Sequence, residues 1–396
     1  MAIQSTPVIL SAARTPNGKF LGGLSSLTVA ELGTVVFRAA MERAQLAPQD
    51  VDEVILGNVV GAGAGMALAR NAALHAGLPE TVPAYVVNKV CGSGMQAVVL
   101  AAQSIKAGDN AVVLAGGAES MSNAPYLLRR ARTGYTYGNG QLEDSLLTDG
   151  LLCCFEKCPM GTAAEHIARR FSITRQAADR YAFESHRRAV AAMAAGKFKK
   201  EIVPVSIPHK SGAPTVVDRD EGPRADTTLE KLAALKPAFE ATGQVTAGNS
   251  SSLNDGAAAL VVASEQWASD RNKRPLARIL AYATSGVAPK EIFHAPALAI
   301  PMAVKRAGLE LKDIDLFEIN EAFAAQMVAN VQVLDLDLRK VNVHGGGIAL
   351  GHPIGASGAR VLVTLLHAMA DRGAHRGCAA LCLGGGNGVA MVVERV

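Results

Sequence analysis

Apolar residues fall along this chain in two alternating patterns, short continuous runs and helix-spaced stripes, and the alternation predicts an α/β fold. Val8–Ala12 reads as a first strand, and Thr28–Gln45 has the spacing of a helix closed by Leu46–Ala47–Pro48. Val51–Asn58 is a further strand. Met95–Lys106 is helical, Gly108 ends it, and Ala111–Gly116 is again a strand.

Two stretches then repeat this logic. RAQLAPQDVDEVILGN (Arg43–Asn58) resembles RAGLELKDIDLFEIN (Arg306–Asn320), with Arg, Ala, Leu and two Asp at matching places. CGSGMQAVVLAAQSIKAG, from Cys91, pairs with IGASGARVLVTLLHAMADRG, from Ile354, and each runs on to a strand ending in Gly-Gly. The order is the same in both, so duplication into two related α/β halves is the economical explanation. Residues 120–245 break the pattern with prolines, glycines and a polar helix over Thr174–Ala195, as an inserted loop domain would. The apolar run Ala257–Val262 returns the chain to the first half. The expected division is 1–119 with 246–270, then 120–245, then 271–396.

Composition narrows the picture. With 396 residues, nearly half apolar and few aromatic, the chain has the means for a large core and for close helix–sheet packing. A net charge of +4 without a long basic run argues against nucleic acid as partner and leaves room for an anionic small molecule. The interrupted run Lys197–Lys200 reads as a solvated face. No uncharged apolar stretch is long enough for a membrane span, and the N-terminus reads as a strand, not a signal peptide. Six cysteines in a chain this long make no disulfide scaffold, none of the common zinc spacings fits, and a reducing cytoplasm is the default.

Four places could do chemistry. Cys91 follows the apolar run Tyr85–Val90 and precedes Gly-Ser-Gly and a helix, where a helix N-terminus would lower the thiol pKa and backbone N–H groups could hold an oxyanion. The alternative is a buried structural cysteine. His352, in GHPIG, is held by Pro353 and could activate a thiol, or be a satisfied turn histidine; His344 competes with it. Cys382, in LCLGGGNG, could exchange a proton with a substrate carbon, or simply pack in a core strand. Asn320 opens Asn-Glu-Ala-Phe-Ala at a strand end, where it could cap a helix or orient a water. Gly61–Gly65 resembles a loosened dinucleotide fingerprint without its spacing, and it is the sole ground for an NAD-dependent oxidoreductase.

Together NKVCGSGMQAV, TAGNSSSLNDGAAA, NEAFAAQ, GGGIALGHPIGASGAR and LCLGGGNGVA resemble thiolase-family motifs, in family order and over essentially the whole chain. The resemblance implies a layered αβαβα fold of two pseudo-symmetric halves plus the inserted loop domain. It implies an acyltransferase that condenses two acetyl-CoA to acetoacetyl-CoA, or thiolyses 3-ketoacyl-CoA with CoA, ping-pong through an acyl-cysteine. By the same resemblance Cys91 is the nucleophile, His352 its base, Cys382 the acid/base at the α-carbon, and Asn320 positions a water for one oxyanion site. The amides of Cys91 and Gly384 form the other. Arg224 would lie near the adenine, Ser251 near the pantetheine, and Leu151, Met160, Phe239 and Ala247 around the pocket. No metal or cofactor is implied, coenzyme A thioesters being substrates. Leu127–Leu146 resembles the loop of tetrameric members, so a homotetramer or homodimer is expected. Two positions depart from the family pattern. Pro159 precedes Met160 where short-chain members often have His, which resembles members taking longer chains, and Phe293–His294–Ala295–Pro296 replaces a Gly-x-Gly-Pro turn. Acyl-chain preference stays open. A ketoacyl synthase would generally carry His or Asn at Cys382, and a non-catalytic acyl-CoA-binding relative would have lost Cys91 or His352.

Overall fold

The computed structural model describes residues 5–208 and 212–396. The first repeat supplies β1 (Pro7–Arg14), α1 (Val29–Ala44), β2 (Glu53–Gly57), β3 (Ala84–Val87), α2 (Ser93–Ala107) and β4 (Val112–Ser120). The chain then leaves this unit for α3 (Met160–Arg170) and α4 (Arg175–Ala194), and returns as β5 (Asn254–Ser264). The second repeat supplies β6 (Ala277–Gly286), α5 (Ala295–Arg306), β7 (Leu316–Ile319), α6 (Ala324–Leu334), α7 (Ile354–Arg372), β8 (Arg376–Leu383) and β9 (Asn387–Arg395).

Local chemistry sets these boundaries. Thr28 accepts from the Glu31 N–H and the Glu31 carboxylate accepts from the Thr28 N–H, a reciprocal cap that starts α1. Gly108, at φ 83°, ends α2 in the left-handed conformation that favours glycine. The apolar run before Cys91 is strand only to Val87; Asn88–Val90 turn out of it.

The strands lie in the order β7-β8-β9-β6-β1-β5-β4-β2-β3. The duplication is visible in their pairing. β2 runs parallel to β4 and antiparallel pairs join β4 to β5 and β5 to β1; likewise β7 runs parallel to β8, with antiparallel pairs β8–β9 and β9–β6. Among the described residues, the halves pair edge to edge only at Val8 with Arg278 and Ile9 with Ala277.

What unites them is a shared helical layer. β1, β4 and β5 are buried along their full length, so alternate side chains serve two cores. Val8, Leu10, Val54, Leu56 and Leu114 pack with α1; Ile9, Ile55, Val113 and Ala115 pack with α2 and α7. In the second half Ala379, Leu381 and Met391 face α7, while Ala380, Ala390 and Val392 face α5. The result is five layers, helix–sheet–helix–sheet–helix. Fifteen of the nineteen residues of α7 are buried, which marks it as a central element. α2 and α7 cross in backbone contact. A Cβ on Gly94 would lie 2.7 Å from the Ala359 nitrogen, and one on Gly358 would lie 2.3 Å from the Met95 nitrogen. These glycines hold matching places in the two repeats.

α3 and α4 pack on α6. Behind them a buried guanidinium ties the intervening segment to β1: Arg14 donates to both carboxylate oxygens of Asp220, at 2.7 and 2.9 Å, and to Glu201 at 2.6 Å. Phe198 of the Lys197–Lys200 turn is buried, so that run is only partly a solvated face. Among the described residues, no helix is long and apolar enough to cross a membrane.

Candidate active site

Cys91 stands between β3 and the first turn of α2. The turn before it is unusual: Val90 has φ 49°, a left-handed backbone that a β-branched residue rarely adopts. It is held there by Asn88, whose Oδ1 accepts from the Val90 N–H at 3.0 Å, and by Ser93, whose hydroxyl donates to the Val90 carbonyl at 2.6 Å and accepts from the Lys89 N–H at 2.8 Å. The Cys382 strand end presses directly against this turn. A Cβ on Gly92 would fall 2.3 Å from Leu383 Cδ2, and one on Gly384 would fall 2.9 Å from Val90 Cγ1. Two small residues, one on each side, let the two sulfur-bearing segments meet.

The meeting place is an apolar cavity of about 220 Å3 lined by Cys91, His352 and Cys382 together with Leu151, Met160, Phe239 and Ser251. The His352 ring is 7 % exposed and faces this cavity from the start of α7. Its backbone N–H donates to Asn254 Oδ1 at 3.0 Å. Its Nδ1 lies 2.5 Å from Ser357 Oγ, and that hydroxyl donates to the Pro353 carbonyl at 2.8 Å. A carbonyl can only accept, so the serine proton goes to Pro353 and Nδ1 carries the hydrogen toward Ser357. Nε2 is then the free lone pair. Asn320 Nδ2 lies 3.3 Å from it, and Arg360 Nη2 contacts Asn320 Oδ1 at 3.4 Å. Arg360 thereby sets which end of the amide faces the imidazole, and Glu318 anchors Arg360 at 3.1 Å. Asn320 does not cap α6, which begins after Phe323.

Burial dominates the electrostatics. His352 is lowered to about 3 by burial and then by the Arg360 charge, so it is neutral and a proton acceptor at neutral pH. Cys91 is pushed up to about 11 by burial; the N–H groups of Gly384 and of Cys91 itself pull it down, and Glu119 pushes it further up. This corrects the expectation that the helix terminus lowers the thiol pKa. Loss of water costs the thiolate more than the helix end returns, about 0.3–1 kcal/mol. Cys382 is also raised, by burial and by Cys91 beside it.

Residues 7–266 match the family model for the thiolase N-terminal domain, and residues 273–395 match that for the thiolase C-terminal domain. The chain belongs to the thiolase family. It is 53% identical to an acetyl-CoA acetyltransferase of Escherichia coli (strain K12) over 98% of this chain and 99% of that one. It is 50% identical to a probable acetyl-CoA acyltransferase of Staphylococcus epidermidis (strain ATCC 12228 / FDA PCI 1200), over 98% of each. The crystal structure of the Bacillus anthracis acetyl-CoA acetyltransferase superposes with a TM-score of 0.98 at 44% identity, covering all of both chains.

In this thiolase-family chain the remaining expected site residues lie a short way off. Arg224 and Ala247 line a second cavity, of about 260 Å3, which shares Ser250, Ser252 and Leu253 with the first. The Arg224 N–H donates to His186 Nδ1 at 3.3 Å, and His186 is lowered to about 4 by burial and by Arg224. His344, the competing imidazole, lies apart, edge-on to Phe198 and 3.6 Å from Asp371. Sequence reasoning missed four supporting residues: Ser357, Arg360, Glu318 and Glu119. Glu119 is fully buried and accepts from Asn58 Nδ2 at 2.7 Å, from the Val59 and Val60 N–H groups, and from the Gly355 N–H at 2.9 Å. It joins the end of β2 to the start of α7. The available signal was a charge set in an apolar run, Glu119 after Ala115–Gly116–Gly117–Ala118 and Arg360 within Ile354–Met369.

Proposed function

We propose that this thiolase transfers an acyl group between coenzyme A thioesters, condensing two acetyl-CoA and, in reverse, cleaving acetoacetyl-CoA or another 3-ketoacyl-CoA with CoA. The observation that carries this reading is that a thiol from one repeat and an imidazole and a second thiol from the other line one apolar cavity. In thiolysis, His352 Nε2 takes the Cys91 proton as the sulfur attacks the 3-keto carbon. The Cα–Cβ bond breaks, its electron pair passes to the α-carbon, and that carbon takes the Cys382 proton. Acetyl-CoA leaves and an acyl-Cys91 remains. Free CoA then gives its proton to the Cys382 thiolate and attacks the acyl carbon. Cys91 leaves as thiolate and recovers its proton from His352.

The N–H groups of Cys91 and Gly384, both directed at the Cys91 sulfur, would hold the tetrahedral oxyanion on Cys91. Asn320 and His352 would hold the oxygen of the second thioester, with a water between. The raised pKa of Cys382 suits a group that stays protonated until a carbanion needs its proton. The thioester itself activates both reacting carbons, so the scheme calls for no metal or redox cofactor. The second cavity, with Arg224, Ser252 and Ala247, supports entry of the pantetheine arm from that side and a CoA-binding role for residues 120–245.

The exposed apolar side chains Tyr126 and Leu142, on the ribbon pairing Tyr126–Leu128 with Leu142–Asp144, support a homotetramer built through this segment. We also place this activity in the cytoplasm and in fatty-acid metabolism, as part of the same reading. The decisive experiment is mass spectrometry of the Cys91 peptide after incubation with acetyl-CoA. An acetyl adduct on Cys91 is expected, with loss of adduct and turnover in Cys91→Ala; full turnover in that variant contradicts the reading.

A further inference from the structure

Residues 152–159 fold back on themselves as a tight hairpin beside the first cavity. Leu152 and Pro159 pair antiparallel, and one place inward the Cys153 N–H donates to the Cys158 carbonyl at 2.9 Å. The Lys157 N–H donates to the Cys153 carbonyl, also at 2.9 Å, and Lys157 closes the loop in the left-handed conformation, at φ 53°. Cys153 and Cys158 therefore stand directly opposite each other. Opposed residues of an antiparallel pair have Cα atoms about 4.5–5.5 Å apart and side chains on one face, inside the range of about 4.4–6.8 Å that a disulfide spans. Their sulfurs are close enough that Cys153 adds to burial in raising the Cys158 thiol. Both are free thiols, Cys153 buried and Cys158 half-buried, while Cys154, one place into the loop, is exposed.

We propose that Cys153 and Cys158 are a dithiol–disulfide site, oxidised by a small disulfide such as glutathione disulfide, which clasps this hairpin and fixes one wall of the catalytic cavity. The chain enters the hairpin from Leu151 and leaves it through Pro159 and Met160, and all three line the first cavity. At the tip, Phe155 Cε2 lies 3.7 Å from the place a Cβ on Gly385 would take, beside the Gly384 amide. A two-stranded ribbon this short is marginal by itself and opens readily. A bond between its legs would hold Leu151 and Met160 at their present spacing and Phe155 over the glycine turn. Cys158, the more exposed of the two, attacks as thiolate on one sulfur of glutathione disulfide and expels one glutathione thiolate. Cys153, as thiolate, then attacks the Cys158 sulfur of that mixed disulfide and expels the second. The two protein thiols lose two electrons and two protons, and the oxidant leaves as two glutathione thiols. Cys91 and Cys382 take no part.

The test is to incubate the intact protein with glutathione disulfide, block remaining thiols with iodoacetamide and map the unreduced peptides by mass spectrometry. A Cys153–Cys158 linkage is expected, reversed by excess glutathione. It persists in Cys154→Ser and is absent from Cys153→Ser and Cys158→Ser. Hydrogen exchange then reads the clasp. The Cys153 and Lys157 amides, whose bonds close the loop, exchange roughly 10-fold or more slowly in the oxidised wild type than in the reduced one. Neither serine variant at Cys153 or Cys158 shows that oxidation-dependent change. Thermal melts identify folded protein, and if one of these two variants does not fold, the other serves. A linkage through Cys154, no linkage at any ratio of glutathione disulfide to glutathione, or equal exchange in both forms overturns the proposal.

Discussion

Cys91 and His352 are each held in the form in which the proton has yet to move. The thiol is pushed up to about 11 and the imidazole down to about 3, so the neutral pair is the resting state and the ion pair forms only as an acyl carbon arrives. A haloacetamide reads this directly, because only the thiolate reacts. Its rate on Cys91 is expected to keep rising with pH through about pH 9, where an ordinary cysteine, near 8.5, has begun to level off. A plateau below about pH 8 would contradict the burial argument. Ser357 acts one step behind. Ser357→Ala removes the acceptor for Nδ1–H and lets the ring take the wrong tautomer, so acylation of Cys91 should slow by roughly 10-fold or more with KM little changed, measured by rapid-quench mass spectrometry. Sequence motifs drew attention to Cys91, His352 and Cys382, which the fold brings to one cavity, although only Cys382 lies on a strand and His352 follows the helical turn Gly347–Leu350. The sequence hid Ser357, Arg360 and Glu318, whose importance depends on partners brought near only by folding.

At the scale of single elements, the periodic segments were legible and the junctions were not. α1 and α4 begin after the capping threonines Thr28 and Thr174, and α2 stops at Gly108, because those signals are local. The junction made by Glu119 has no such signal; it joins residues far apart in the chain. Asn58 and Asn320 hold the same place in the two repeats, yet one serves the Glu119 clamp and the other the imidazole. Burial lifts the Glu119 carboxyl to about 7, against the N–H groups of Val60, Val59 and Gly355. A carboxyl with a raised folded pKa favours the folded state while protonated. Stability should therefore decline as pH rises from about 4.5 to about 7, by on the order of 3 kcal/mol from this group. Glu119→Gln should flatten that slope in urea titrations across the window, even though its amide meets donors and lowers stability overall. An unchanged slope would assign the decline to other groups.

For the whole molecule, the two halves share, among the described residues, one short strand pair but a full layer of helix, and should therefore unfold as one cooperative body. Residues 271–396 expressed alone would leave much of α7 without its cover from α2 and β1. This fragment should show no cooperative urea transition, while the intact chain shows one; a sharp transition in the fragment would refute the shared core. The repeats pointed to two halves, and periodicity could not say that they are inseparable, because a helix buried all round looks the same in sequence whichever neighbours surround it. The glycine crossing of α2 and α7 carries a further consequence. Each helix starts within a few residues of a reacting group, so the spacing of two backbones fixes how far sulfur sits from nitrogen. A single added methyl at Gly358, remote from any acyl group, would wedge the helices apart, and catalysis would fail at a hinge pin while every reacting atom was still present.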